Sequence, residues 1–181
     1  MIYVFLAHGF EEIEALTPVD VLRRAELDVR TVGVGSKTIT GSHGITVHCD
    51  IMDREVDLRQ AEMVVLTGGL SGTKNLERSQ VVQKAIDYMS EKEQWLAAIC
   101  AAPSVLGRKG VLNGKTVTAY PGYEDQLMGA NYTGSEVEVD GKIITGKGAG
   151  TAMSFSLKLV ECLLSKERAD EVGSEMQWTE K

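Results

Sequence analysis

The sequence predicts an α/β fold, with a mostly parallel sheet covered by helices on both faces. Short apolar runs rich in β-branched residues alternate with longer segments whose apolar residues recur at helical spacing. Strands that are separated by helices pair in parallel, because the helix returns the chain to the same edge of the sheet. The chain has 181 residues, 43% of them hydrophobic, which is enough to bury a sizeable core, and we expect one domain over residues 1–181.

The first fifty residues are predicted to form a strand, a helix, a strand and a hairpin. Residues 2–7 are an apolar run that is typical of a buried strand. Residues 11–26 carry apolar side chains at helical spacing, and Pro18 within them should kink or divide the helix. Residues 28–34 predict a second strand. Residues 36–50 combine glycine turns with alternating β-branched residues, which predicts an antiparallel hairpin.

The middle of the chain contains two more buried strands. Residues 61–69 predict the third main strand, which ends in glycines. Residues 79–93 predict an amphipathic helix with Ser79 as its N-cap. Residues 94–100 predict the fourth main strand, and residues 102–110 the helix that follows it directly.

The last third of the chain is predicted to add a hairpin and two helices. Residues 115–122 indicate a short strand, and residues 136–148 a hairpin with a tight Asp-Gly turn. Residues 150–165 predict a long apolar helix that places Cys162 in the core. Residues 166–176 predict a polar helix.

Cys100 stands at the corner between the fourth main strand and the next helix. A nucleophile at such a corner needs small neighbours, and four alanines surround it: Ala97, Ala98, Ala101 and Ala102. Pro103 suits the first turn of a helix, because its missing N–H would lack a partner there. The helix N-terminus should favour a thiolate and lower the pKa of the thiol. A buried, unreactive core cysteine fits the same pattern.

Two further segments end at the same edge of the predicted sheet. The N–H groups of Gly68 and Gly69, together with that of Ala101, are candidate oxyanion donors, although a tight turn explains the glycines equally well. Glu11 and Glu14 follow the first strand, and we expect Glu11 to be a solvated helix start. A carboxyl group beside the thiol would titrate in a coupled manner with it.

Charge and cysteine content exclude several classes of protein. The formal net charge of −7 repels phosphate backbones, so no nucleic-acid partner is expected. The cysteines Cys49, Cys100 and Cys162 are too few for a disulfide framework, and no histidine has zinc-type spacing with them, so no metal is expected. No apolar run reaches the ~20 residues of a membrane span, and the start lacks the basic segment of a secretory signal. We therefore expect a cytoplasmic protein with no membrane partner.

Four motifs, in this order, carry a resemblance to a known family. They are "LAHGFEEIEALTPVDVLRRA", "VVLTGGLSGTKNL", "AAICAAPSVL" and "GKGAGTAMSFSLKLVE". Together they resemble the ThiJ/PfpI superfamily, in the branch of the parkinsonism-associated protein deglycase and its bacterial relatives. The resemblance covers residues 1–172 and implies a three-layer flavodoxin-like sandwich and a homodimer. It also matches Cys49 with a second family cysteine near the dimer interface.

The resemblance implies roles for individual residues. Cys100 would be a nucleophilic, oxidisable cysteine, and Glu14 the acidic partner that is hydrogen-bonded to its sulfur. Gly69 and Ala101 would be the oxyanion donors. Members of the family are described as glyoxalases that turn methylglyoxal into lactate without a cofactor, as deglycases of early glycation adducts, as redox-responsive chaperones and as intracellular peptidases.

One position departs from the family pattern. Many members have a histidine after the strand that follows the corner, where this chain has Tyr120, and no histidine follows His48. A tyrosine with a pKa of ~10 is a poor base at neutral pH, so a cysteine peptidase or amidase is disfavoured, although Tyr120 can donate a hydrogen bond to a substrate. His43 falls where close relatives have an anion-binding arginine, and together with Arg24 it is a candidate contact for a small acid.

Two classes of function follow from the sequence. In the first, the chain is an enzyme: Cys100 attacks a small reactive carbonyl compound, Gly69 and Ala101 hold the oxyanion, and Glu14 moves protons, with no cofactor. In the second, it is a redox sensor or chaperone whose Cys100 is oxidised to a sulfinate that Glu14 and backbone donors stabilise. Both require an accessible thiol of low pKa, so the sequence alone does not separate them.

Overall fold

A seven-stranded, mostly parallel sheet forms the centre of the fold. The computed structural model describes residues 1–179, and its strands are β1 Ile2–Leu6, β2 Val29–Gly33, β3 Thr38–Thr40, β4 Thr46–His48, β5 Ile51–Met52, β6 Met63–Leu66, β7 Trp95–Ile99, β8 Thr116–Val117, β9 Asn131–Tyr132, β10 Val137–Asp140 and β11 Ile143–Gly146. The order across the central sheet is β10-β11-β7-β6-β1-β2-β5. Within it, β10 pairs antiparallel with β11, and the other neighbours pair in parallel.

Helices cover both faces of this sheet. They are α1 Glu12–Arg24, α2 Leu70–Arg78, α3 Gln80–Glu91, α4 Pro103–Arg108, α5 Ala152–Leu163 and α6 Lys166–Glu175. Ile2, Val4 and Leu6 of β1 point into a core shared with α1, α5 and α6. Tyr3 and Phe5, of opposite parity, point into a second core with α3 and α4. The predicted α/β sandwich of three layers is therefore confirmed.

Smaller elements lie outside the central sheet. Strands β3 and β4 form the predicted antiparallel hairpin, with Ile39 opposite Val47. Strands β8 and β9 form a separate parallel pair. Four single 3₁₀ turns complete the fold: Asp53–Glu55, Leu58–Gln60, Glu124–Gln126 and Ala149–Thr151. Every helix within residues 1–179 is too short or too polar to cross a lipid bilayer.

The sequence predicts that Pro18 either kinks or divides the first helix, and the structure excludes the division. Helix α1 continues through Pro18, which is buried with Val21 and Leu22 against the core. An interior proline costs a helix about 3 kcal/mol, and the burial of this apolar face offsets that cost. Cys162 also differs from the expectation, because it is only partly buried, at the edge of the core.

Helix α2 is an element that the sequence pattern did not indicate. Leu76 is the single buried aliphatic residue of this helix, so its sequence has no repeated apolar spacing that would predict a helix. Gly72 lies in its first turn, where an added Cβ atom would stand 2.7 Å from the Cα atom of Phe10. The helix packs this closely onto the β1–α1 connection because position 72 is a glycine. The close approach brings the start of α2 to the carboxyl edge of the sheet.

Candidate active site

Cys100 occupies a strained corner at the carboxyl end of β7. Its φ angle is 64°, in the left-handed region, which costs a residue with a side chain roughly 1–2 kcal/mol. Its N–H donates to the Gly146 carbonyl at 2.9 Å, and its carbonyl accepts from the Tyr120 N–H at 2.8 Å. Neighbouring segments thus fix both backbone groups, which maintains the strained geometry. Ala101 and Ala102 beside it are buried.

Glu14 reaches the Cys100 thiol from the first turn of α1. The residue is 1% exposed, and burial raises the pKa of its carboxyl group to about 7, against the opposing effect of the hydrogen bond with Cys100. The charge of Glu11 raises this pKa further, whereas the N–H groups of Gly68 and Ala149 lower it. Its Oε2 atom is buried without a partner of standard hydrogen-bond geometry among residues 1–179. A buried oxygen in that position favours a protonated carboxyl group.

The thiol of Cys100 is coupled to this carboxyl group. Burial, followed by the charge and hydrogen bond of Glu14, raises the pKa of Cys100 to about 12, while the N–H groups of Ala101 and Gly69 lower it. Burial and Glu14 outweigh the donors at the start of α4, so the low thiol pKa expected from the sequence is absent while Glu14 is ionised. When Glu14 holds the proton, the charge that opposes the thiolate disappears. A thiolate at Cys100 is therefore paired with a protonated Glu14.

Two glycines leave the space that this pair occupies. A Cβ atom on Gly68 would lie 2.1 Å from Glu14 Oε2 and 2.7 Å from Cys100 Cβ. Gly69 has a φ angle of +91°, and a Cβ atom on it would lie 2.3 Å from the Gly9 carbonyl oxygen. The N–H groups of Gly69 and Ala101 both lie at the sulfur. The same glycine turn therefore leaves room for the Glu14–Cys100 pair and places an N–H donor at the sulfur.

Two tyrosines stand near the thiol. Tyr120 is 52% exposed, and a Cβ atom on Gly148 would lie 3.4 Å from its ring and 3.9 Å from Glu14 Oε1. Its ring therefore lies at the mouth of the site. Tyr123 was not found from the sequence, because it lies in an irregular polar turn. Burial and then the charge of Cys100 raise the pKa of Tyr123, so its hydroxyl group is close enough to the sulfur to be affected by its charge.

Arg24 and His43 do not join Cys100 within one chain. Arg24 lies in the last turn of α1, whereas Glu14 lies in the first, and its Nε donates to Asp20 at 3.1 Å. His43 lies in the β3–β4 hairpin, where its Nδ1 is 2.9 Å from Oε2 of Glu12. Their proposed contact with a small acid stays a prediction.

Glu11 and Glu12 have structural roles that the sequence did not distinguish. Glu11 is the N-cap of α1, and its half-buried carboxylate accepts the Glu14 N–H at 2.8 Å, so it is not the solvated residue expected. Glu12 is buried and accepts the His43 N–H at 2.8 Å. Burial acts to raise the pKa of Glu12, but its hydrogen bonds from His43 and Ile45 lower it to about 2. Glu12 thereby ties the hairpin to α1.

The same two carboxylates and His43 form a small polar cluster. Their ligand atoms lie within 4.8 Å of one another, which is close enough for one cation. Spacing along the sequence gave no sign of this arrangement, because the hairpin brings His43 to the helix from some thirty residues away.

Comparisons with known proteins agree with this fold. The model of the DJ-1/PfpI family matches residues 1–162. Protein dj-1beta of Drosophila melanogaster is 38% identical over 94% of this chain and 92% of its own length. Its crystal structure superposes with a TM-score of 0.94 at 35% identity, covering 99% of this chain and 98% of that one.

One further relative is much longer than this chain, and another carries the name of an enzyme. Protein DJ-1 homolog B of Arabidopsis thaliana is 38% identical over 93% of this chain, which spans only 39% of that protein. A Schizosaccharomyces pombe relative, named glutathione-independent glyoxalase DJ-1, is 29% identical over 93% of this chain and 94% of its own length.

The space left by Gly68 predicts a specific sensitivity. We expect Gly68→Ala to lower the free energy of unfolding by about 1–3 kcal/mol, because the methyl group overlaps the Glu14 carboxylate. Urea denaturation measures this change. Gly150→Ala is the matched control, since no atom lies within 4 Å of its added Cβ, and its effect should stay within about 0.5 kcal/mol. Equal stability of the two variants would contradict the described packing.

Proposed function

The chain belongs to the DJ-1/PfpI family, and from this premise we propose that it is a cysteine-dependent enzyme that converts methylglyoxal and related reactive carbonyl compounds into hydroxy acids. The observation that carries the proposal is the contact between Cys100 and Glu14, whose pKa near 7 lets it both give and take a proton at neutral pH. The glyoxalase name of the Schizosaccharomyces pombe relative supports the same chemistry. No cofactor is required.

In the first step, the Cys100 thiolate attacks the aldehyde carbon while Glu14 is protonated. The new C–S bond forms as the electron pair of the C=O bond moves onto oxygen. The N–H groups of Gly69 and Ala101, which flank the sulfur, stabilise that oxyanion. Glu14 then donates its proton to the oxygen and becomes a carboxylate. The product is a hemithioacetal.

In the second step, the Glu14 carboxylate removes the proton from the former aldehyde carbon. The resulting enediol takes this proton back at the neighbouring carbon, which gives the thioester of a 2-hydroxy acid. Water hydrolyses the thioester, releasing lactate and restoring the thiol. The aldehyde carbon is oxidised and the ketone carbon reduced, so electrons balance without an external oxidant. Tyr120, at the mouth of the site, is placed to donate a hydrogen bond to the ketone oxygen.

Deglycation of an early glycation adduct would use the same groups. Cys100 would attack the carbon that the aldehyde contributed, and Glu14 would protonate the departing amine. Because Cys100 is partly buried at the sheet edge, adducts of small free amines would reach it more readily than adducts on the side chains of a folded protein.

A redox role is the second candidate. The Gly69 and Ala101 N–H groups would stabilise the oxygen atoms of a sulfinate as well as a reaction oxyanion. A peptidase is disfavoured, because all three histidines of the chain are bonded away from the thiol: His8 to Thr40, His43 to Glu12 and His48 to Thr38. None is available to act as the general base of a cysteine–histidine pair.

An exposed apolar surface supports a homodimer. Ile13 and Leu16, one helical turn apart on α1, are 53% and 36% exposed. Ile45 of the hairpin is 53% exposed, and its N–H donates to Glu12, the neighbour of Ile13, so all three exposed side chains belong to the region where the hairpin meets α1. Water-exposed apolar patches of this kind mark association sites. We assign a second copy of the chain to this surface.

Lactate formation tests the enzymatic proposal. We expect the wild-type protein to convert methylglyoxal into lactate, and Cys100→Ser to reduce kcat/KM at least about 100-fold, because the nucleophile is lost. Glu14→Gln should still allow alkylation of Cys100 but form no lactate, since an amide cannot carry the proton. Cys49→Ser, at a buried cysteine outside the site, is the control and should retain activity.

Two outcomes would overturn this assignment. Lactate formation that survives Cys100→Ser would exclude the proposed nucleophile. A wild-type protein that forms no lactate, while peroxide oxidises Cys100 selectively, would establish the redox role instead.

Oligomeric state tests the apolar surface. We expect a dimer by light scattering, and Ile13→Glu should convert it to a monomer, because a charge would be buried in the interface. Leu164→Glu is the control, since Leu164 is 49% exposed outside this surface and should leave the dimer intact. A wild-type monomer, or a dimer that is insensitive to Ile13→Glu, would refute the assignment.

A further inference from the structure

A cavity of about 500 Å³ lies between α2 and α4, the helices that begin just after Gly69 and Cys100, and the proposed mechanism does not use it. One wall is a single face of α2, with Leu70, Thr73, Lys74 and Glu77 at helical spacing. The opposite wall is formed by Ser104 and Arg108 of α4 and by Tyr123 with Gln126. Leu70 directly follows the donor Gly69, and Ser104 lies one helical turn after Ala101. The two walls of the cavity therefore belong to the helices that start at the groups flanking the sulfur.

Arg108 lines this cavity, and hydrogen bonds hold its side chain in place. Its guanidinium group is bonded to the Glu77 carboxylate and to the Gln126 side chain, and Nη2 donates to Ser104 Oγ at 3.2 Å. Ser104 is fully buried and donates to the Ala101 carbonyl at 2.7 Å. The one carboxylate that lines the cavity is thus already paired, and it leaves no negative charge to repel an anion.

Three further donors in the cavity have no partner. Lys74 is exposed and makes no ion pair within residues 1–179, although the chain is acidic overall. The hydroxyl group of Tyr123 likewise has no hydrogen-bond partner in the described part of the chain. Thr73 is 3% exposed, and its buried Oγ1 atom also lacks a partner. Hydroxyl groups without hydrogen-bond partners, next to a lysine without an ion pair, are the groups that bind a carboxylate.

We propose that this cavity is a substrate subsite that takes a carboxylate carried on the chain of a 2-oxoaldehyde, so that the preferred substrates are acidic dicarbonyl compounds rather than methylglyoxal. The inference rests on the proposed function for its chemistry. The aldehyde lies at Cys100, and the carbon chain runs past Gly69 and Leu70 into the cavity. Lys74 and Tyr123 then bind the carboxylate, and Arg108 holds the wall in place. A pocket of this volume accommodates a chain of several carbons.

Turnover of a matched pair of substrates tests the subsite. We compare 4,5-dioxopentanoate, which carries a carboxylate, with its neutral methyl ester. The acid adds water overall and gives 2-hydroxyglutarate by the steps already described. We expect kcat/KM to be at least about tenfold higher for the acid than for the ester. Lys74→Met and Tyr123→Phe should each lower this acid-to-ester ratio by about three- to tenfold.

The matched control is Lys84→Met, which removes an exposed lysine from α3, outside the cavity. It should leave the acid-to-ester ratio at the wild-type value. A wild-type ratio near one, or a ratio that Lys74→Met and Lys84→Met change equally, would overturn the subsite. In that case lactate formation from methylglyoxal would still support the proposed function.

A binding readout separates the two proposals if no substrate is turned over. Pentanoate, an unreactive carboxylate, should slow alkylation of Cys100 in the wild-type protein, and pentanamide should not. The protection should weaken with Lys74→Met and with rising salt. Protection without turnover would support the subsite and overturn the proposed function. Absence of protection would overturn the subsite.

Discussion

A proton shared between Glu14 and Cys100 is the interaction on which the rest of the site depends. Burial raises the pKa of the carboxyl group to about 7, and the ionised carboxylate raises the pKa of the thiol to about 12. The buried pair therefore cannot bear two negative charges near neutral pH, and it keeps one proton between its two members. When that proton is on Glu14, the sulfur is a thiolate beside an acid. The proposed enzyme begins its reaction from this state, and oxidation of the sulfur would begin from the same state.

The surrounding fold has features that keep these two groups together. Cys100 is held at a positive φ angle by hydrogen bonds to Gly146 and Tyr120 from adjacent segments. Gly68 leaves the volume that the carboxylate fills, and Gly69 and Ala101 turn their N–H groups toward the sulfur. Five segments that are distant in sequence thus meet at the carboxyl edge of one parallel sheet, as is general for α/β folds. The cavity between α2 and α4 is the place where we propose that the chain of a substrate longer than three carbons binds.

Local patterns in the sequence were sufficient for the main strands and for the Cys100 corner, because apolar runs and small residues act through neighbours in the chain. Local patterns failed where distant segments approach each other. Helix α2 depends on the contact of Gly72 with Phe10, and the tie between Glu12 and His43 joins a helix to a hairpin. The resemblance to a family, rather than spacing, singled out Glu14 from its neighbours. Glu14 lies on the side of α1 that faces the thiol. Glu11 caps the helix instead, and Glu12 binds the hairpin. Tyr123 gave no signal, since its turn has no periodicity.

The ultraviolet absorbance of the thiolate, taken as the difference between the wild-type protein and Cys100→Ser across pH, tests the shared proton most directly. As pH rises through about 7, Glu14 loses its proton, and the thiolate signal should rise only to a low plateau, because the ionised carboxylate keeps most of the remaining proton on the sulfur. The signal should reach full amplitude only in strongly alkaline solution, and Glu14→Gln should remove the plateau and leave a single step. A wild-type thiol that ionises completely in one step near the ordinary value of ~8.5 would contradict the account.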